Sequence, residues 1–567
     1  MGLVSELRRR NVLRMVVLYV VAAWLVMQVA EVVVTLANLP DWIGPAILGL
    51  LAVGFPIALI FSWFYELTSE GLSLEKDIAP GESITNVTGR RMDFIVMSLL
   101  SAAVLLFAWH TWWPSAPTDK SIAVLAFENM SDDPEQEYFS DGIAEELLNS
   151  LSHIPELRVI SRSSSFSFKG KDVDIPTVAK QLDVAHVLEG SVRKMGNQVR
   201  ITVQLIKAST DSHVWSHTYD RDLDDIFAVQ DEIADAVIAG LKVQLLGDTP
   251  RAHTTTPEAY SLYLQGKALR AQVNAAAYQQ AKAVVLRVLD IDRTYIPALL
   301  LLAQIYIEGS TSGAWHPHQA YPEAREVLRE VLRSDADNAT AHAALSRIAF
   351  AYDYDMETAR RELELALKLD PHDIFGLQQA AWLASIDGDF DEAVRLTKEI
   401  QVLDPISGDP KWALGNFYSA AGRVDEAISA YNEALELLPV GVEIHYRLGS
   451  VMLGSGNLDG ALAQFNKETR QGFVRAGRAM AFHAMGDIEG ASSELEKLLE
   501  MGETWTYEIA QVHAYLGNLD ESFRWLNRAI DRRDQALLNF TGDGFLDKLH
   551  DDPRFDEILE RLDRKNP

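Results

Sequence analysis

The chain has 567 residues, no cysteine, 48% hydrophobic residues and a formal charge of −30. Without cysteine there can be no disulfide, thiolate nucleophile or cysteine-ligated metal centre. An acidic chain also suits phosphate backbones poorly, since these are bound by lysine and arginine, so nucleic acid is not expected as a partner.

Met15–Ala37, Ile43–Tyr65 and Phe94–Trp113 are almost continuously apolar. Each is long enough for a hydrocarbon core that needs about 20 apolar residues. Residues 1–118 therefore read as a membrane domain with spans at about 15–37, 43–65 and 94–113, and with the lipid bilayer as a partner. Arg8, Arg9, Arg10 and Arg14 precede the first span, residues 38–42 carry no basic group, and Lys76, Arg90 and Arg91 lie between the second and third. Basic residues stay inside. The expectation is a multi-pass protein of the bacterial inner (plasma) membrane, N-terminus cytoplasmic, with the bulk of the chain periplasmic. Glu31 is an intramembrane polar candidate, because an ionisable group in hydrocarbon is functional by default. It also lies close enough to the span end simply to reach the interface.

Residues 119–248 change character. Strands are predicted at 121–127, 157–161, 186–193, 198–206 and 212–219, with helices at 138–152, 175–182 and about 224–246. This order suggests a small α/β domain with a mixed sheet. Ser163-Ser164-Ser165 lacks the glycines and lysine of a phosphate loop and reads as a strand-end loop. Asp132, Asp133, Glu135 and Glu137 lack calcium-loop spacing and read as a solvated acidic loop. His213 and His217 share a strand face without a third ligand, so no metal and no cofactor is expected.

Ser121-Ile122-Ala123-Val124-Leu125-Ala126-Phe127-Glu128-Asn129, Tyr138-Phe139-Ser140-Asp141-Gly142-Ile143, Val187-Leu188-Glu189-Gly190-Ser191-Val192 and His213-Val214-Trp215-Ser216-His217 carry a resemblance. They resemble the TolB amino-terminal-like (FlgO-like) domain of bacterial membrane-anchored proteins, in which that domain precedes a helical repeat array. In the wider family, output modules that resemble adenylate cyclases or winged-helix regulators stand ahead of the membrane. Only 14 residues precede the first expected span, and the loop 66–92 is short. Neither output is therefore expected.

The remainder is organised by a repeated box: Gly388-Asp389-Phe390-Asp391-Glu392-Ala393 and its counterparts at Gly422, Gly456, Gly486 and Gly517, stepping by 34, 34, 30 and 31 residues. Glycine ends one helix and an acidic residue opens the next. A period near 34 marks a tetratricopeptide array. It spans 256–535 in seven or eight helix pairs, the first two degenerate, with a loop insertion at 309–320 and a capping segment at 536–567. The fold class expected is multidomain: three transmembrane helices, then the α/β domain, then an all-α superhelical solenoid.

In such arrays the first helix of each pair lines the groove. The inward positions are Phe375, Gln378 and Trp382; Trp412, Asn416 and Ser419; Glu443, Tyr446 and Ser450. Rings supply contact area and amides bond a backbone, which suits an extended peptide. Packing of Trp382 and Trp412 between helices is an equal alternative. The expected function is a non-enzymatic scaffold, anchored in the inner membrane, whose groove binds a protein or peptide partner for envelope assembly or sensing. The alternative is a membrane sensor that relays a periplasmic signal to a separate cytoplasmic partner. No nucleophile–base–orienter set argues for an enzyme. The sequence is compatible with a homo-oligomer.

Overall fold

The computed structural model describes residues 120–564 apart from 155, 242–252, 439, 440 and 442, together with scattered positions before 120. The chain divides into two compact units, 1–116 and 117–567.

In the first unit, strands β1 (Tyr65–Thr68) and β2 (Gly71–Leu74) pair antiparallel, Tyr65 opposite Leu74. The membrane reading needs correction here. Among the described residues no helix is long and apolar enough to cross a membrane. The three expected transmembrane helices, and with them the multi-pass inner-membrane and periplasmic placement, are not sustained. Hydropathy measures composition, whereas a span needs one uninterrupted helix of about 20 residues. Tyr65, the last residue of the second expected span, stands in a strand instead. Most of 15–37 and 43–65, all of 94–113, and Glu31 lie outside the described residues.

The second unit opens with the α/β domain. Its sheet has the order β5 (Arg158–Val159), β3 (Ser121–Val124), β6 (His186–Met195), β7 (Gln198–Lys207), β8 (Ser212–Asp222). β3 runs parallel to β5 and β6, and the last three strands form an antiparallel meander. The sheet is thus mixed, as the sequence suggests. The first strand is shorter than expected, and the chain beyond it forms β4 (Glu128–Asn129), which also pairs with β6. Helices α1 (Glu137–Ser152), α3 (Ile175–Leu182) and α4 (Ile226–Gly240) match expected helices. The serine run does not form a loop. It is the one-turn helix α2 (Arg162–Phe166), capped by Ser161, whose side chain accepts from the Ser164 amide at 3.2 Å. Among the acidic group, Asp133 caps a short turn by accepting from Glu135.

Eight helix pairs follow among the described residues. The first is α5 (Pro257–Arg270) with α6 (Ala275–Ile291), and the second is α7 (Ile296–Thr311) with α8 (Pro317–Ser334). The third is α9 (Ala339–Ile348) with α10 (Met356–Leu369), and the fourth is α11 (Ile374–Ile386) with α12 (Phe390–Leu403). The fifth is α13 (Gly408–Ala420) with α14 (Val424–Leu437), and the sixth is α15 (Ile444–Gly454) with α16 (Leu458–Phe465). The seventh is α17 (Gln471–Ala484) with α18 (Ile488–Glu500), and the eighth is α19 (Thr506–Leu516) with α20 (Leu519–Arg532).

The box works as its chemistry requires. The glycine at 388 takes φ +81°, and the next residue, Asp389, caps the following helix by accepting from Glu392 at 3.1 Å. A Cβ on Gly415 would lie 2.5 Å from the Tyr431 ring, so only glycine lets these two helices approach so closely. No loop insertion occurs at 309–320: α7 runs to Thr311 and α8 starts at Pro317. Trp315 folds back on Tyr306 at 5.7 Å, and the His316 side chain caps α8.

The last segment does more than cap an end. Residues 535–549 form two short turns, and α21 (Pro553–Arg561) follows. Leu537, Phe540, Leu546, Leu549, Phe555 and Ile558 are buried. The segment returns to the middle of the array. Tyr321 donates to Gln535 at 3.0 Å, the Met356 amide to Asp563 at 2.9 Å, and Thr541 to the Ile386 carbonyl at 3.2 Å. The superhelix is therefore closed on itself by its own C-terminal residues.

Candidate functional site

The nine inward positions do not form one groove. Trp382 of α11 and Trp412 of α13 lie with ring centroids 6.0 Å apart, and Trp382 meets Phe417 edge-on at 5.2 Å. With Gln378, Asp409 and Pro410 they line a cleft of about 220 Å³. The indole N–H of Trp412 is buried and has no acceptor among the described residues. The Asp409 carboxyl is pushed up by burial, with the Asp404 charge adding to the effect. A buried donor without an acceptor costs about 1–3 kcal/mol, so this cleft is chemically incomplete.

Phe375 is half-buried on a different, larger cavity. Asn416 is buried, and its side-chain oxygen accepts from Tyr431 at 2.7 Å. Ser419 is half-buried. Glu443 accepts from Arg447 at 2.6 Å, one turn along the same helix. Tyr446 is 1% exposed; it stacks on Phe473 at 4.8 Å and donates to Gln511 at 3.0 Å. Ser450 donates to the Tyr446 carbonyl. In the last three pairs the inner curve is thus filled by the chain's own side chains. Gln511 and Tyr507 both donate to Asp543 of the returning segment, at 2.6 and 2.7 Å.

Two features escaped the sequence. One joins the α/β domain to the array: Ser161, Ser163 and Ser164 all donate to the Asp404 carboxylate, at the end of α12. The Ser161 amide also donates to the Leu403 carbonyl at 2.7 Å. Nothing in the spacing of three serines and a distant Asp signals this. The other is the larger cavity, about 1080 Å³, bounded by α1 and α4 and by α5, α7, α9, α10, α11 and α12 of the array. Lys267 sits at its wall, held by Glu146 at 2.6 Å and Glu145 at 3.1 Å.

Among the described residues no group of three or more His, Asp and Glu could hold a metal ion. His318 is engaged by the Asp531 carbonyl at 2.8 Å and stacks with His316, so this histidine pair serves packing.

Comparison with known proteins bears on both parts of this unit. Residues 413–472 match the tetratricopeptide repeat model, and the helical array is a tetratricopeptide array. Residues 118–236 match the HilA/YgeH-like transcriptional regulator, second domain, a different name from the TolB amino-terminal-like one read from the sequence. A curated relative from Rhizobium meliloti (strain 1021), named "Putative adenylate cyclase 3", is 46% identical over 183 residues, 32% of this chain and 31% of that protein. The chain thus spans about a third of the length of that relative. Solved structures are similar at low identity. Pseudomonas aeruginosa PilF is 17% identical (37% of this chain, 93% of that one, TM-score 0.31). The type IV pilus biogenesis factor PilW is 18% identical (38% and 97%, TM-score 0.33). The human IFIT1 dimer is 16% identical (54% and 77%, TM-score 0.39).

Proposed function

We propose that this chain is a non-enzymatic scaffold whose tetratricopeptide array takes up a segment of a partner protein at the Trp382–Trp412 cleft. The observation that carries the reading is the buried indole N–H of Trp412, which lacks an acceptor among the described residues in a cleft walled by aromatic rings. A peptide carbonyl satisfies that donor, Gln378 offers amide groups beside it, and the rings supply apolar area. The Tyr446 region is not part of this site, because it is core. The α/β domain, which resembles a TolB amino-terminal-like domain and matches a regulator's second domain, holds the array through the serine–Asp404 contacts. The test is a photo-crosslinker placed at Gln378 of the full chain. Crosslinks to a partner should disappear in Trp412→Ala; crosslinks that persist there count against the cleft.

A second reading is supported by the two names matched, a transcriptional regulator and a putative cyclase. In it the unit is a sensory module that passes the state of its cavity or cleft to a separate output partner. Loss of response on breaking the Asp404 contacts, with partner capture intact, would favour relay over simple scaffolding.

A further inference from the structure

Residues 535–543 run across the array, and its helices receive their polar groups as they would those of a bound segment. The Gln535 side-chain oxygen accepts from Tyr321 of α8 at 3.0 Å and from Arg347 of α9 at 3.2 Å. Thr541 donates to the Ile386 carbonyl of α11, and Asp543 accepts from Tyr507 and Gln511 of α19. This short run therefore reaches from the second helix pair to the eighth.

Its path lies one turn beyond the Trp382–Trp412 cleft. Ile386 follows Trp382 by one turn on α11, and Ala420 follows Phe417 by one turn on α13, and residues so spaced are neighbours on a helix surface. Gly542 takes φ +81° and lies flat against this seam: a Cβ there would stand 2.8 Å from the Ala420 Cβ and 3.0 Å from the Phe390 ring. Leu538 is buried in the apolar cluster of Leu383 and Ile386, against which Trp382 packs. The cleft holds about 220 Å³, whereas ligand sites commonly hold about 300–1,000 Å³. A segment anchored at Trp412 and continuing along α11 and α13 meets residues 538–542. The closed arrangement is also imperfect. Arg564 is 9% exposed, reaches Thr541 only at 3.5 Å, and buries two further nitrogens with no acceptor among the described residues. Buried donors left unfilled weaken that state relative to one in which they reach water.

We propose that residues 535–543 are an autoinhibitory strap: they occupy the α11–α13 seam as an internal substitute for a partner segment, and a partner fills the site fully only by lifting them. The inference rests on the reading of the Trp382–Trp412 cleft as the partner site, and it adds the regulation of that site. Contacts made within one chain need no second molecule to be captured, so the strap sets a threshold that a weak ligand does not cross.

Peptides selected from a display library against the full chain test it, with hydrogen exchange reading the strap. Peptide binding to the wild type should quicken exchange at 536–542 and leave α21 protected. Gly542→Val puts a side chain into Ala420 and Phe390, so it should lift the strap and raise peptide affinity about tenfold. Thr541→Val combined with Asp543→Asn loosens the strap without adding bulk and should act in the same direction. Peptides that lose affinity in Trp412→Phe yet leave 536–542 protected when bound to the wild type would keep the cleft and overturn the strap. So would fast exchange at 536–542 in either strap variant with wild-type affinity. Peptides that bind Trp412→Phe and wild type equally would overturn the cleft itself, and the strap's role with it.

Discussion

Ser164 Oγ donates to Asp404 Oδ1 at 2.6 Å, joining residues 240 positions apart. Ser164 is fully buried and Asp404 is 7% exposed. A buried carboxylate is costly unless its lone pairs are filled, and three serine hydroxyls fill them here. Asp404→Ala strands two buried hydroxyls at the junction of the α/β domain and the array. It should destabilise the unit by about 2–3 kcal/mol, read as a lowered denaturant midpoint. Hydrogen exchange should quicken first at 158–164 and 402–406. Ser163, which is exposed, should matter much less when changed to Ala.

Glu508 sets a pH dependence. It is 5% exposed, and burial, with Asp534 and Glu443 adding, pushes its carboxyl up to about 8 from 4.5. The folded value lies above the unfolded one, so in that window the native state keeps a proton that the unfolded chain has lost. Stability therefore falls as pH rises from about 4.5 to about 8, then levels. Asp534 and Asp543 are also raised by burial and act in the same direction. Glu508→Gln should flatten part of this slope, by a few kcal/mol, in unfolding midpoints measured from pH 5 to 9.

Tyr446 should behave as core. Tyr446→Ala is expected to cost about 3–5 kcal/mol, seen as a large drop in melting temperature. Tyr446→Phe removes only the donor to Gln511 and should cost about 1–3 kcal/mol. Neither should weaken partner capture at the Trp382–Trp412 cleft once folded protein is compared.

Gly415→Ala tests the helix crossing in the fifth pair. Its new methyl meets the Tyr431 ring, which is buried and fixed by Asn416. Overpacking of this kind costs about 1–3 kcal/mol, measurable in the same unfolding assay.

What the sequence made legible was local. The box at Gly388 and its counterparts announced helix ends because a positive φ and a capping acid are short-range requirements. The mixed sheet followed from apolar runs and turn residues. The failures were non-local. Tyr446 reads as an inward groove residue by its place in the repeat, yet whether it meets solvent depends on Gln511, 65 residues later. The return of 535–564 onto the middle pairs rests on contacts such as Met356 to Asp563 that no periodicity encodes. Of the nine inward positions, Gln378, Trp382 and Trp412 came together in one cleft because they sit on adjacent first helices. Hydropathy misled at the N-terminal end, where Tyr65 belongs to a strand.

The central claim is that Trp412 offers its indole N–H to a bound chain. Peptides selected from a display library against the full chain should be remeasured on Trp412→Phe, which keeps a ring and deletes the donor. The expected result is a loss of about tenfold in affinity, with Tyr446→Phe unchanged. Equal affinity for wild type and Trp412→Phe would contradict it.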